Sequence, residues 1–159
     1  MTRGHDMAPT VEVKVLDPRI HEWGLPAYQT EGAAAIDLFA CLDAPLVLPA
    51  GEPAVLVPAG IALFMDTDQM AALALPRSGA GHKKGLVLGN LVGLIDSDYT
   101  GGIFLSLWNR NPTGAAITVQ PGERVAQLMF VPVLRPELRI VDEHSGTTQR
   151  GAGGFGSTG

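Results

Sequence analysis

An all-β fold, a distorted barrel or jelly roll with little helix, is what this chain predicts, and three observations carry the prediction. Short apolar runs recur along most of the 159 residues, Pro and Gly punctuate them at near-regular spacing, and no stretch has a convincing amphipathic-helix pattern. Roughly ten to a dozen short strands are expected on that pattern. The length suits one domain able to bury its own core. We divide it into a loose polar arm over residues 1–10, a β-barrel domain over 11–143 and a flexible glycine-rich tail over 144–159.

The elements follow in order. Val11, Val13 and Val15 alternate with Glu12 and Lys14, the period of a half-buried strand, and Asp17-Pro18 ends it. Gly24 to Ala35 reads as loop. Within the apolar run Ala33 to Ala40 stands one carboxylate, Asp37, which needs a partner because burying it alone is costly; a backbone turn or a cation would serve. Leu46 to Leu48, Ala54 to Val57 and Ile61 to Met65 read as three strands divided by two Pro-Ala-Gly turns. Met70 to Leu75 suits helix by its alanines or strand by its length, and we assign strand. Further strands are expected at Ile103–Trp108, Ala115–Val119, Arg124–Val133 and, last, Leu138–Val141.

Composition narrows the function. No apolar run approaches the roughly 18 residues of a membrane helix, and the polar N-terminus is unlike a signal peptide, so a soluble cytoplasmic protein without membrane partners is expected, starting at Met1 or Met7. A net charge of −5 and no basic run longer than Lys83-Lys84 argue against non-specific nucleic-acid binding. Any polyanion would have to meet local counter-charge. Cys41 is the only cysteine, which excludes an internal disulfide framework, and the four histidines lack metal-ligand spacing.

Five segments carry chemistry. In Pro76 to Gly85, PRSGAGHKKG, an arginine and a hydroxyl precede three glycines; glycine turns can aim several N–H groups at one anion, and the guanidinium fork grips phosphate oxygens. It is not a Walker loop. Gly89 to Gly102, GNLVGLIDSDYTGG, suits two short strands closing on a tight loop, and its Asn90, Asp96, Asp98 and Tyr99 could line a small concave pocket. Pro121 to Leu128, PGERVAQL, opens a strand and sets Gln127, which needs a hydrogen-bond partner, inside an apolar run. The tail RGAGGFGSTG, with five glycines in ten residues, cannot pack alone, yet it holds one cation and one ring, suited to meet a phosphate and stack on a base. AAAIDL supplies Asp37.

Taken in chain order, AAAIDL first, and at this spacing the five segments resemble the five motifs of the trimeric dUTPase family, over almost the whole chain from Val11. Ala35 stands where the family usually has glycine. The resemblance implies a jelly roll of the dUTPase type that splits dUTP into dUMP and pyrophosphate with Mg²⁺, by attack of water on the α-phosphorus. It implies Asp96 as the carboxylate that orients and deprotonates the water. It implies that Asn90 and the backbone of Gly93, Leu94, Ile95 and Asp96 read uracil, with Tyr99 under the deoxyribose and Phe104 beside the pocket. Arg77, Ser78, Gly79 and Gln127 would hold the phosphates and Arg150 the γ-phosphate. Phe155 would stack on uracil while Gly156 and Ser157 close over the phosphates. No direct protein ligand to the metal is implied; Asp37 would reach it through water. A homotrimer with sites shared between chains is implied as well. A deaminase on the same fold would need a glutamate at the pyrimidine C4, and this hairpin has none.

Overall fold

The computed structural model describes residues 9–153. Five strands come first: β1 (Val11–Val15), β2 (Ile36–Phe39), β3 (Leu46–Leu48), β4 (Val55–Met65) and β5 (Met70–Pro76). Five more follow: β6 (Leu86–Leu88), β7 (Gly93–Ile95), β8 (Gly102–Asn109), β9 (Ile117–Val119) and β10 (Arg124–Pro132). They build an antiparallel sheet in the order β1-β4-β8-β6, a second in the order β2-β10-β5-β7, and a β3-β9 ribbon. The jelly-roll expectation is met, and among the described residues no helix is long and apolar enough to cross a membrane.

Alternation shows most clearly in β8. In β8 Ile103, Leu105, Leu107 and Asn109 point inward while Phe104 points out, the period-2 pattern of a sheet with one face on the core. Opposite them lie Ile36 and Leu38 of β2 and Val125, Ala126 and Leu128 of β10, all buried. The one buried polar side chain among the described residues, Asn109, donates to the carbonyls of Leu48 at 3.0 Å and Ala115 at 3.3 Å. Those bonds tie the ribbon to the sheet.

Four expectations change. Val55 to Met65 is one strand, not two: the second Pro-Ala-Gly sits inside β4, where pairing with β8 shifts register between Pro58 and Ala62. A bulge bends a strand without ending it. Gly60 sits there at φ +73°, and a Cβ on it would lie 2.5 Å from Cys41 Sγ. The stretch Gly89 to Gly102 is not a paired hairpin, because β7 joins β5 in one sheet while β8 belongs to the other. The segment after Arg77 is a turn of π-helix, Ala80–Lys84, closed by Gly85 in the left-handed conformation. Leu138–Val141 forms no strand; Leu138 and Ile140 stand 87% and 99% exposed, with no strand of this chain beside them among the described residues.

A four-residue helix, α1 (Ile20–Trp23), also escaped the sequence reading, since one turn is too short to show a period. It starts where Asp17 Oδ1 accepts from the Arg19 N–H at 3.0 Å, and Ile20 anchors it in the core. Arg19 binds Asp17 through its side chain too, at 2.6 Å. This holds the Asp17 carboxyl below the usual carboxylate range. Burial, and then the Asp17 charge, push the neighbouring Cys41 thiol up to about 11. Cys41 is therefore an inert core thiol at neutral pH.

Candidate active site

Three adjacent strands bring three of the sequence-predicted residues, Asp37, Arg77 and Gln127, to one place. In the register, Gln127 of β10 lies opposite Asp37 of β2 on one side and Leu75 of β5 on the other, and β5 runs on into Arg77. Asp37 finds its partner in cations: Arg77 Nε at 2.9 Å on one oxygen and Arg124 Nη1 at 3.4 Å on the other. Arg77 also donates through Nη1 to the Arg124 carbonyl at 3.4 Å. The carboxylate side chain is only 14% exposed, the guanidiniums 39% and 46%, so the acid is sunk and the cations face outward. Two positive charges share one negative charge, leaving an excess of +1 beside the Ser78 and Gly79 turn. The space at Gly79 is open, and Gly81 N–H closes the turn on the Arg77 carbonyl at 2.9 Å. This is an anion-binding charge layout. The Gln127 amide donates to the Pro76 carbonyl at 2.9 Å, so the sheet meets the need that the sequence left open.

Ala35 needs no glycine here. Among the described residues the one non-glycine at positive φ is Leu91, so the first segment runs in ordinary backbone.

The second gathering is a cleft of about 290 Å³. Asn90, Gly93, Leu94, Ile95, Asp96, Tyr99 and Phe104 all line it, as expected, joined by Ala74, Gly102 and Ile103. The loop before β7 is sharply folded: Leu91 takes φ +62°, and Val92 N–H bonds to the Asn90 carbonyl at 2.7 Å. A leucine held in that region stores local strain, of the kind that accumulates at ligand loops. The Tyr99 hydroxyl donates to the Gly102 carbonyl at 2.9 Å, and a Cβ on Gly101 would meet the Tyr99 hydroxyl oxygen at 2.6 Å. Glycine there lets the ring lie flat on the chain as one wall of the cleft. A separate apolar hollow of about 380 Å³ between Val11, Tyr28, Met70 and Phe130 has no acid, base or hydroxyl except the Tyr28 phenol.

The two gatherings stand apart along β5. Ile95, which precedes Asp96, lies opposite Ala72, and from Ala72 to Arg77 are five residues, about 17 Å of strand. Arg150 stays in its own turn, with Nε on the Gly153 carbonyl at 2.8 Å. Phe155, Gly156 and Ser157 lie outside the described residues. The sequence reading omitted Arg124 from the site. The signal was present in PGERVAQL, but only the folded chain, which pairs Arg124 with Phe39 across the strands, shows that its side chain reaches Asp37.

A jelly roll that carries an arginine pair on Asp37 and, further along β5, a small cleft with an amide, a carboxylate and a phenol suits a nucleotide-handling class. Within that class, the family model described as dUTPase matches residues 21–159, and the chain belongs to that family. The chain is 57% identical over 150 residues to the deoxyuridine 5'-triphosphate nucleotidohydrolase of Methylibium petroleiphilum, covering 94% of this chain and 97% of that one. It is 52% identical over 154 residues to the protein of the same name from Photorhabdus laumondii, covering 96% and 99%. Among solved structures, the dUTPase of Staphylococcus bacteriophage 80alpha, determined with dUPNHPP, superposes with a TM-score of 0.82 at 26% identity, over 94% and 98% of the two chains.

Proposed function

We propose that this protein is a dUTP diphosphatase, hydrolysing dUTP to dUMP and pyrophosphate in the cytoplasm and so limiting uracil in DNA while supplying dUMP for dTMP synthesis. The observation that carries the reading is the pair of gatherings on one family scaffold: a cleft holding Asn90, Asp96 and Tyr99, and an arginine pair on Asp37.

The cleft supplies specificity. The Asn90 amide and the backbone from Gly93 to Asp96 offer the donors and acceptors that a uracil edge requires. The Tyr99 ring, held by its bond to the Gly102 carbonyl, is the wall against which the deoxyribose would pack, with a 2′-hydroxyl expected to clash with it. Phe104 completes the wall. Asp96 at the mouth accepts the proton of the attacking water. Arg77, with the Ser78 and Gly79 N–H groups and Gln127, grips the phosphate chain as negative charge shifts onto the leaving pyrophosphate.

The donor set fits Mg²⁺ that arrives on the substrate. Among the described residues no three His, Cys, Asp or Glu side chains gather into a metal cage, and Mg²⁺ typically keeps its waters and binds substrate phosphates. When bound it neutralises phosphate oxygens and fixes the shape of the triphosphate. Asp37, already shared by two arginines, would touch it only through water.

The spacing along β5 supports a homotrimer with shared sites. Asp96 and Arg77 are set about 17 Å apart along the strand path, a separation compatible with their serving one substrate from different chains, as the family resemblance implies. The tail, with Arg150, Phe155, Gly156 and Ser157, then closes over the ligand as a lid, consistent with a glycine content that costs much entropy to order.

The test is pyrophosphate release from dUTP, UTP, dTTP and dCTP with and without Mg²⁺. Strong preference for dUTP with Mg²⁺ is expected. Comparable release from UTP or dTTP, or ammonia from dCTP, would overturn the reading.

A further inference from the structure

A continuous stack of side chains runs from α1 to the anion site. The Arg19 guanidinium lies over the Trp23 ring at 5.2 Å, Trp23 and Phe39 are 6.4 Å apart centre to centre, and the Arg124 guanidinium lies over Phe39 at 5.9 Å. From Arg124 the chain of contacts continues to Asp37 at 3.4 Å and then to Arg77 at 2.9 Å. The backbone is shaped around the stack. Gly122, at φ +74° just before Arg124, would place a Cβ 2.7 Å from the Trp23 ring, and a Cβ on Gly24 would touch Phe39 Cζ at 3.6 Å.

We propose that Trp23 and Phe39 form an aromatic shelf that positions Arg124, making Trp23 a positioning residue for phosphate binding although it touches no substrate. The inference rests on the reading of Arg77 and its neighbours as the phosphate site. The physical argument is competition for one carboxylate. Asp37 is an anion, and left to Arg77 alone it would hold that cation away from the substrate. Arg124, steadied on the ring face, takes half of the Asp37 charge and frees Arg77 to turn toward phosphate oxygens. Without the shelf the Arg124 fork wanders, Asp37 tightens on Arg77, and phosphate must compete against its own binding residue. The loss falls on binding, not on the chemical step.

The experiment is a double-mutant cycle in the full-length protein between Trp23→Leu and Arg124→Ala, read as KM and kcat for dUTP. In parallel, calorimetry measures Kd for inorganic tripolyphosphate with Mg²⁺. Each single variant is expected to raise KM and Kd about fivefold with kcat within about twofold of wild type, and the double variant to be no weaker than the worse single. Trp23→Phe, which keeps a ring face, should stay within about twofold of wild type. If Trp23→Leu does not fold, Trp23→Met fills the volume without a π face and carries the same comparison. Unchanged KM and Kd in the ring-less variant, or a double variant whose losses multiply to about 25-fold, would overturn the shelf. Absence of dUTP turnover in the wild type would refute the activity instead, and the tripolyphosphate cycle would still decide the shelf.

Discussion

Asp96 and Asp17 are both aspartates, and their surroundings give them opposite work. Asp96 lines the polar cleft, as its proposed role toward the attacking water requires. Asp96→Asn should keep the fold and nucleotide binding and lose about a hundredfold or more in turnover, checked by steady-state kinetics beside a dUMP titration. Asp17 instead is locked to Arg19, which depresses its pKa in the folded chain. The sign follows from linkage: a folded-state pKa below the unfolded one gives stability that is present above the unfolded value, about 3.9, and is lost as pH falls through the folded one. Urea melts across that window should show Asp17→Asn less stable than wild type at neutral pH, with the gap closing toward pH 2. A constant gap would mean that the residue acts by packing and not by charge. Asp37 was visible in the sequence as a carboxylate in need of a partner, but its partners lie 40 and 87 residues away, and no local pattern carries such a distance.

At the scale of elements, what the sequence shows best is the strand with simple alternation, such as β8, and what it shows worst is where a strand stops; β1 forms where expected, but its Val13 stays exposed. Pro58-Ala59-Gly60 has turn chemistry, yet β4 runs through it, because a bulge uses the same residues as a turn and only the neighbour β8 decides between them. Gly60→Ala tests this directly. With φ at +73° and Cys41 Sγ 2.5 Å from the new Cβ, it should cost about 1–3 kcal/mol by chemical denaturation, while a similar change at Gly32, where nothing lies within 4 Å, should cost far less. Leu138–Val141 failed in the other sense: the apolar pattern is there, but a strand needs a neighbour to bond with. The tail is a third case. The hydrogen bonds of Thr148 to Gly153 stay within the tail, so a chain ending at Gln149 should melt at nearly the wild-type temperature and lose most of its turnover. Intact turnover, or a collapsed fold, would show that the tail is not a lid closed by ligand.

For the whole molecule, the family and the jelly roll were legible because five segments kept their order and spacing over almost the entire chain. The layout of the site was less so. Sequence order sets Arg77 19 residues before Asp96 and gives no hint of their separation; the β5-β7 register makes it about 17 Å of strand. That distance is compatible with the central proposal, that each site draws Arg77 for the phosphates and Asp96 for the water from different chains. Arg77→Ala and Asp96→Asn proteins should each be inactive, and unfolding and refolding them together tests the claim most directly. At equal mixing, chance assembly leaves both groups intact in about one site in four overall, so the refolded population should recover about a quarter of wild-type dUTP turnover, and purified mixed trimers about a third. Verified mixed trimers with no recovered turnover would contradict it, placing Arg77 and Asp96 of one chain on the same substrate.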